Sequence, residues 1–116
     1  MSVVTSVIVS VFAIDPAKEV TIIEDIQAWL RDHDHAPFFR IDGGFESDSG
    51  GEKALTCDLL IGAFDWFETN KFREWLALHP SFDPTGEHTQ IELIVKEVDR
   101  EEFARWKILP IGKGSE

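Results

Sequence analysis

The chain has 116 residues, 43% of them hydrophobic with nine Phe and four Trp, which suits one globular domain with a substantial core. Its 22 acidic and 11 basic residues give a net charge of −11. Such a charge repels nucleic-acid phosphates and anionic lipid surfaces, so we expect neither as a partner. It favours a basic protein partner instead, although acidity also keeps small cytoplasmic proteins soluble.

The single cysteine, Cys57, excludes a disulfide framework within one chain. The apolar residues 1–15 lack a basic segment and are interrupted by serines, so a strand explains them better than a signal peptide or a membrane span. We therefore expect a cytoplasmic protein. None of the common nucleophile, metalloprotease, redox or dinucleotide motifs occurs, so the sequence nominates no catalytic residue and no cofactor.

The first half of the chain predicts a strand, a helix and a second strand. Residues 3–14 are rich in β-branched side chains, which suit a pleated sheet. Asp15 is a natural helix N-cap and Pro16 suits the first helical position, so we expect a helix that ends near residue 32. A short strand at 37–42 leads into residues 43–52, where four glycines and several acids predict a mobile loop.

The longest nearly unbroken apolar run, residues 53–67, predicts the central strand of the sheet. One of its faces is hydrocarbon apart from a thiol, and we expect the helices to cover it; it carries Leu55, Cys57, Leu59, Ile61 and Ala63. The other face includes a hydroxyl and a carboxylate, and we expect it to stay open; it carries Ala54, Thr56, Asp58, Leu60, Gly62 and Phe64.

The second half of the chain predicts one more helix and one or two strands. Asp65 and Glu68 fit a capping box, so a helix begins at residue 66 or a few residues later and ends before Pro80. Residues 89–98 alternate as a strand, and a final short strand follows at about 106–111. Residues 112–116 form a frayed tail.

The resulting order of elements is similar to that of a ferredoxin-like α+β sandwich, βαββαβ, with a possible extra C-terminal strand. That resemblance implies an antiparallel sheet with two helices on one face, and one domain spanning residues 1–116. It does not decide function, because this fold carries many unrelated activities.

The run Asp32-His33-Asp34-His35 places four possible metal ligands in succession at a helix end. Adjacent residues rarely converge on one ion, and metal sites usually draw ligands from separate elements. Histidine near a helix C-terminus also complements the helix dipole, and aspartate favours turns. We expect no bound metal, although the run alone leaves this question open.

The leading functional hypothesis is a non-catalytic acidic module that binds a basic protein, in the manner of an inhibitor, an immunity protein or an accessory factor. An exposed aromatic side chain would anchor such a contact. The candidate anchors lie near element ends or loops; they are Phe45, Trp66 and Trp106.

An alternative hypothesis uses the open sheet face of a ferredoxin-like homodimer to bind or transform a small ligand. The candidate residues are Arg40, Asp58, Glu92 and Lys96. Arg40 would hold an anion, and Asp58 or Glu92 would act as acid or base. The same four groups could instead pair with one another across neighbouring strands. A third hypothesis, a structural subunit of a larger assembly, has no motif to support it.

Overall fold

The computed structural model describes residues 4–41, 57–79 and 89–108. The elements are β1 Val4–Ala13, α1 Pro16–Asp32, β2 Phe39–Ile41, β3 Asp58–Asp65, α2 Thr69–Ala77, β4 Thr89–Glu97 and β5 Ala104–Ile108. The predicted loop at 43–52 and the predicted tail at 112–116 lie outside the described residues.

The strands form one antiparallel five-stranded sheet in the order β2-β3-β1-β4-β5. The predicted α+β class is therefore confirmed. The short strand β2 lies at one edge and β5 at the other, while β1 lies in the middle between β3 and β4. The longest strands are thus the central ones, and most of the hydrophobic core lies against them.

The helix α1 begins where the sequence predicts it. Asp15 has extended backbone angles, and its side-chain oxygen accepts the backbone N–H of Ala17 at 3.0 Å, which satisfies a donor that lacks an intrahelical partner. At the other end the His33 N–H donates to the carbonyls of Trp29 and Leu30, both at 3.1 Å. The buried side chains of this helix form one stripe; they are Ile22, Ile23, Ile26, Trp29 and Leu30.

Both helices pack on the same face of the sheet. The alternation in β1 and β4 predicts this face correctly, with Val7, Val9, Val11, Ile91, Leu93 and Val95 in one core cluster with the helix side chains. In β3, however, the buried residues are Asp58, Leu60 and Phe64. The face predicted for Leu59 and Ile61 is therefore wrong, because they pair with Ser10 and Ile8 on the side away from the helices. Residues 54–56 lie outside the described ranges.

Aromatic packing explains why Leu60 and Phe64, rather than Leu59 and Ile61, face the helices. A Cβ atom at Gly62 would lie 2.9 Å from Cζ of Phe64 and 3.3 Å from Cδ1 of Phe38. Glycine therefore leaves the room in which both rings lie against the strand, on the helix side. The two rings meet edge to face at 5.1 Å between centroids. Two large rings over a glycine bury more apolar surface than Leu59 and Ile61 would on the same side.

The two helices are joined by aromatic contacts and one polar contact. Trp29 of α1 lies 4.9 Å from Phe72 of α2 between ring centroids. His79, which follows α2 and is buried, has its Nε2 atom 2.7 Å from Oδ2 of Asp25 in α1. Within the described ranges, no helix is both long enough and apolar enough to cross a bilayer.

Candidate functional site

An exposed tryptophan lies where β3 turns into α2. Trp66 is 63% exposed and has a φ of 57°, in the left-handed region that large residues rarely adopt. It lies in a turn directly after β3, which ends at Asp65. A bulky side chain held outward in an unfavourable backbone conformation marks this turn as a candidate binding position.

A surface cleft of about 430 Å³ adjoins Trp66, and we call it the Trp66 cleft. It is lined by His33, Asp34, His35, Ala36, Ala63, Phe64, Asp65, Trp66 and Glu68. Its walls come from the end of α1 and from the β3–α2 turn, so the tertiary fold brings together two segments more than 25 positions apart. Three carboxyl groups, those of Asp34, Asp65 and Glu68, line it beside the indole.

The histidines of the cleft have structural contacts of their own. His33 stacks on Trp29 with centroids 3.9 Å apart, and its Nδ1 donates to the Trp29 carbonyl at 2.7 Å. His35 packs against the rings of Phe64 and Phe67, at 5.3 and 5.7 Å. Among the described residues, no three His, Cys, Asp or Glu side chains are grouped so that they could hold a metal ion.

The cleft carries negative charge at neutral pH. The pKa of Glu68 is lowered, first by a hydrogen bond from the Lys71 ammonium at 3.0 Å and by its charge, and further by the nearby His33 and His35. The Glu68 carboxylate therefore stays ionised across the physiological range. The Asp34 and Asp65 side chains are exposed at the same cleft.

The other two candidate anchors differ from Trp66. Phe45 lies outside the described residues. Trp106, in β5, is only half-exposed, and the Arg73 guanidinium lies 4.4 Å from its ring centroid. It lines a separate cleft between α2 and β5 rather than the Trp66 cleft. Of the two anchors that the structure describes, Trp66 is the more exposed, and no cation of the described residues lies over its ring.

The structure brings Arg40 and Asp58 together, on the helix-covered side of the sheet. Arg40 Nη2 lies 3.0 Å from Asp58 Oδ2, and the Asp58 side chain is 2% exposed. A third group that the sequence alone did not nominate, Glu19 of α1, joins them through a hydrogen bond with Asp58. Glu19 also accepts the Ala13 N–H at 2.9 Å. We call these three side chains the Glu19 cluster.

Glu19 titrates unusually high for a glutamate. Burial raises its pKa to about 7, and the hydrogen bond and negative charge of Asp58 raise it too, while the Ala13 N–H and the Arg40 charge lower it. A carboxyl group that titrates near neutrality can exchange a proton with a substrate. Glu19, Arg40 and Asp58 line none of the three clefts that the described residues form at Trp66, β5 and Glu92.

Glu92 and Lys96 lie on the opposite face of the sheet from the Glu19 cluster, because they pair with Ser10 and Ser6 of β1. Glu92 lines a shallow pocket of about 320 Å³ that also includes Phe12 and the half-buried Cys57. The Lys96 ammonium donates to the backbone carbonyls of Glu97 and Arg100. The four residues of the alternative ligand site therefore form two separate groups.

The open face of the sheet is half apolar, as the alternation in β1 and β4 predicts. Its central row is Phe39, Ile61, Ile8 and Ile94, which are paired in this order across the four strands. Phe39 is 67% exposed, and the three isoleucines are half-buried. The sequence carries one signal that Ile61 lies on the open face. The neighbouring Gly62 leaves room for aromatic rings on its own side of β3, which is the side of the helices.

No protein-family model, curated protein or solved structure matches this chain.

Proposed function

We propose that this protein is a non-catalytic binding module that recognises a basic protein partner through the Trp66 cleft. The observation that carries the proposal is an indole that is 63% exposed at a cleft lined by three carboxyl groups. Exposed tryptophans are enriched among the residues that dominate binding energy at protein interfaces. Carboxylates beside the ring select a cationic side chain as the group that approaches it.

The proposed contact is an arginine or lysine of the partner lying over the Trp66 ring with its charge facing Asp65 and Asp34. Cation–π attraction and charge-assisted hydrogen bonds act together in that geometry. The net charge of −11 accelerates encounter with a basic surface and makes the association sensitive to salt. The Glu68 carboxylate is already paired with Lys71, so it adds to the negative electrostatic potential of the cleft and is not the main contact of the partner's cation.

The unfavourable backbone conformation of Trp66 supports a binding role rather than a folding role. A left-handed φ of 57° costs a non-glycine residue roughly 1 kcal/mol or more. The indole recovers little of this cost by burial, since most of it faces water. A residue that destabilises the free fold fits a function in the complex.

For the architecture, we propose a relation to ferredoxin-like sandwiches. Two features support it: β3 is inserted between β1 and β2, and β1 between β3 and β4, with all neighbours antiparallel. The additional strand β5 at the edge beyond β4 extends that four-strand pattern. The cytoplasmic location and the use of the open face in a homodimer remain predictions.

The test is a selection of random dodecapeptides displayed on phage against the immobilised chain, followed by calorimetry with the best peptide. We expect the selected peptides to be rich in Arg and Lys. Their affinity should decrease as the NaCl concentration is raised from about 50 to about 300 mM. Trp66→Ala should weaken binding at least about tenfold, which corresponds to roughly 1.4 kcal/mol. The matched control is Phe103→Ala, since Phe103 is equally exposed at 66%. Selected peptides without basic residues, or equal affinities for the wild type and Trp66→Ala, would refute the proposal.

A further inference from the structure

The strand β5 forms an edge of the described sheet. It pairs with β4 on one side, from Ile91 opposite Ile108 to Val95 opposite Ala104, and no other described strand pairs with it. An edge strand of this kind offers backbone N–H and C=O groups on its outer side, and an extended peptide can pair with them as an added strand.

A cleft of about 490 Å³ runs between this edge and α2 on the helix side of the sheet, and we call it the β5 cleft. It is lined by Asn70, Arg73, Glu74, Ala77, Trp106, Lys107 and Ile108. Arg73 is held in place there by the Trp106 ring at 4.4 Å and by Asn70, whose Oδ1 accepts from Nη1 at 3.2 Å. The Arg73 Nε atom is buried and has no hydrogen-bond acceptor among the described residues.

Two more cations lie on the same strand at register positions of the open face, and one of them, Lys107, also lines the β5 cleft. Arg105 and Lys107 are exposed, and they alternate with the side chains that point toward the helices. Within the described ranges, neither side chain enters an ion pair. The edge therefore carries cations on both sides, with a carboxylate near each side: Glu92 of β4 lies opposite Lys107, and Glu74 lines the β5 cleft. Three cations at one strand edge are unusual in a protein whose net charge is −11.

This charge pattern disfavours a second copy of the chain as the occupant of the edge. In an antiparallel β5–β5 pair centred on Trp106, Arg105 of one copy would lie directly opposite Lys107 of the other. Like charges at directly opposed positions destabilise a strand pair, and basic residues on edge strands are a common protection against self-association. A strand with carboxylates at alternate positions would instead meet a cation at each of them.

We propose that the β5 edge binds an extended acidic peptide segment of a partner protein as a sixth strand. Alternate acidic side chains would lie opposite Arg105 and Lys107 on the open face. The intervening side chains would enter the β5 cleft above Trp106, beside the guanidinium of Arg73. This surface is separate from the Trp66 cleft and selects the opposite charge, so the two proposals stand or fall independently.

The experiment uses the full chain and a synthetic peptide, acetyl-Thr-Glu-Val-Glu-Val-Glu-Thr-Ser-amide, monitored by amide NMR shifts and by hydrogen exchange. We expect shifts and added exchange protection concentrated in β5, and a shift of the Trp106 indole N–H. The double variant Arg105→Glu with Lys107→Glu should weaken binding at least about tenfold. The control double variant Lys18→Glu with Arg31→Glu has the same change in net charge on exposed positions of α1, and it should weaken binding less than about twofold. Thermal unfolding of both variants verifies that they are folded.

Two comparison ligands separate strand addition from other kinds of binding. A peptide with the same side chains but an N-methyl group on every backbone amide keeps its charge and loses its backbone donors, so we expect it not to bind. Equal binding of this peptide would mean simple charge attraction and would overturn the proposal. The same shifts produced by inorganic phosphate at the same affinity would mean a small-anion site, and they would overturn it as well. A third outcome concerns the oligomeric state. If the wild type has the solution mass of a dimer and the double variant Arg105→Glu with Lys107→Glu has that of a monomer, the edge binds a second copy of the chain instead.

Discussion

Replacing Glu19 by glutamine tests the Glu19 cluster, because glutamine resembles the protonated form of the glutamate. In Glu19→Gln the amide oxygen can still accept the Ala13 N–H, which lies 2.9 Å from Oε1 in the wild type. The amide NH₂ can donate to Asp58 where the carboxyl proton does so in the wild type. The ion pair between Asp58 and Arg40, at 3.0 Å, has no reason to change. The substitution therefore removes the titrating carboxyl group of Glu19 and keeps its hydrogen bonds.

The sign of the effect follows from the direction of the pKa change. The pKa of Glu19 is raised from 4.5 to about 7, chiefly by burial, so the folded chain holds this proton more tightly than the unfolded chain. The stability that this group contributes is fully present below pH 4.5, and it is lost as the pH rises through about 7. Above that pH the wild type carries a partly buried anion beside Asp58, and Glu19→Gln does not.

The magnitude has an upper limit of roughly 3–4 kcal/mol, since each pKa unit corresponds to about 1.4 kcal/mol. Glu19 is partly exposed to water, which screens its repulsion from Asp58, so we expect about 1–2 kcal/mol. Glu19→Gln should accordingly be more stable than the wild type by about 1–2 kcal/mol at pH 8, and nearly equal to it at pH 4.5.

Urea unfolding followed by tryptophan fluorescence, repeated from pH 4.5 to pH 8.5, measures this difference. The matched control is Glu24→Gln, which changes an exposed glutamate on the same helix and should leave the pH profile unaltered. If the stability difference between Glu19→Gln and the wild type is the same at every pH, Glu19 does not titrate in this range, and the raised pKa assigned to it is wrong. A variant that is less stable at pH 8 would mean that the glutamate is needed there as an anion.

Two further predictions concern the ion pair and the turn. Arg40→Ala should destabilise the fold by roughly 2–3 kcal/mol, because it leaves the buried Asp58 carboxylate without that cation. The control Arg100→Ala should destabilise the fold by less than about 0.5 kcal/mol, since the pair of Arg100 with Glu97 is exposed. Equal losses in urea unfolding would show that the Arg40 pair is not desolvated. Trp66→Gly should be more stable than Trp66→Ala by about 1 kcal/mol, because glycine adopts the φ of 57° without a Cβ clash. Both variants should lose partner binding, and a more stable alanine variant would contradict the assigned backbone conformation.

Local sequence patterns determined several elements of this fold by themselves. The start of α1 follows from Asp15 and Pro16, because an N-cap side chain and a proline act on backbone groups within one helical turn. The faces of β1 and β4 follow from alternation, because one set of side chains in each strand is plainly more apolar than the other. The exposed position of Trp66 also lay within reach of the sequence, since it follows a strand and precedes a helix.

Only the tertiary structure decided the orientation of β3 and the sites that depend on it. Both faces of this strand are rich in apolar residues, and their difference in polar content predicted the wrong one. The choice rests on Phe38 packing with Phe64 over Gly62. That choice places Asp58 under the helices, where Arg40 and Glu19 meet it from two other elements. Similarly, the Trp66 cleft and the β5 cleft each join segments distant in sequence. Contacts of this kind depend on how elements dock, and a single sequence without such long-range pairings does not encode them in any local pattern.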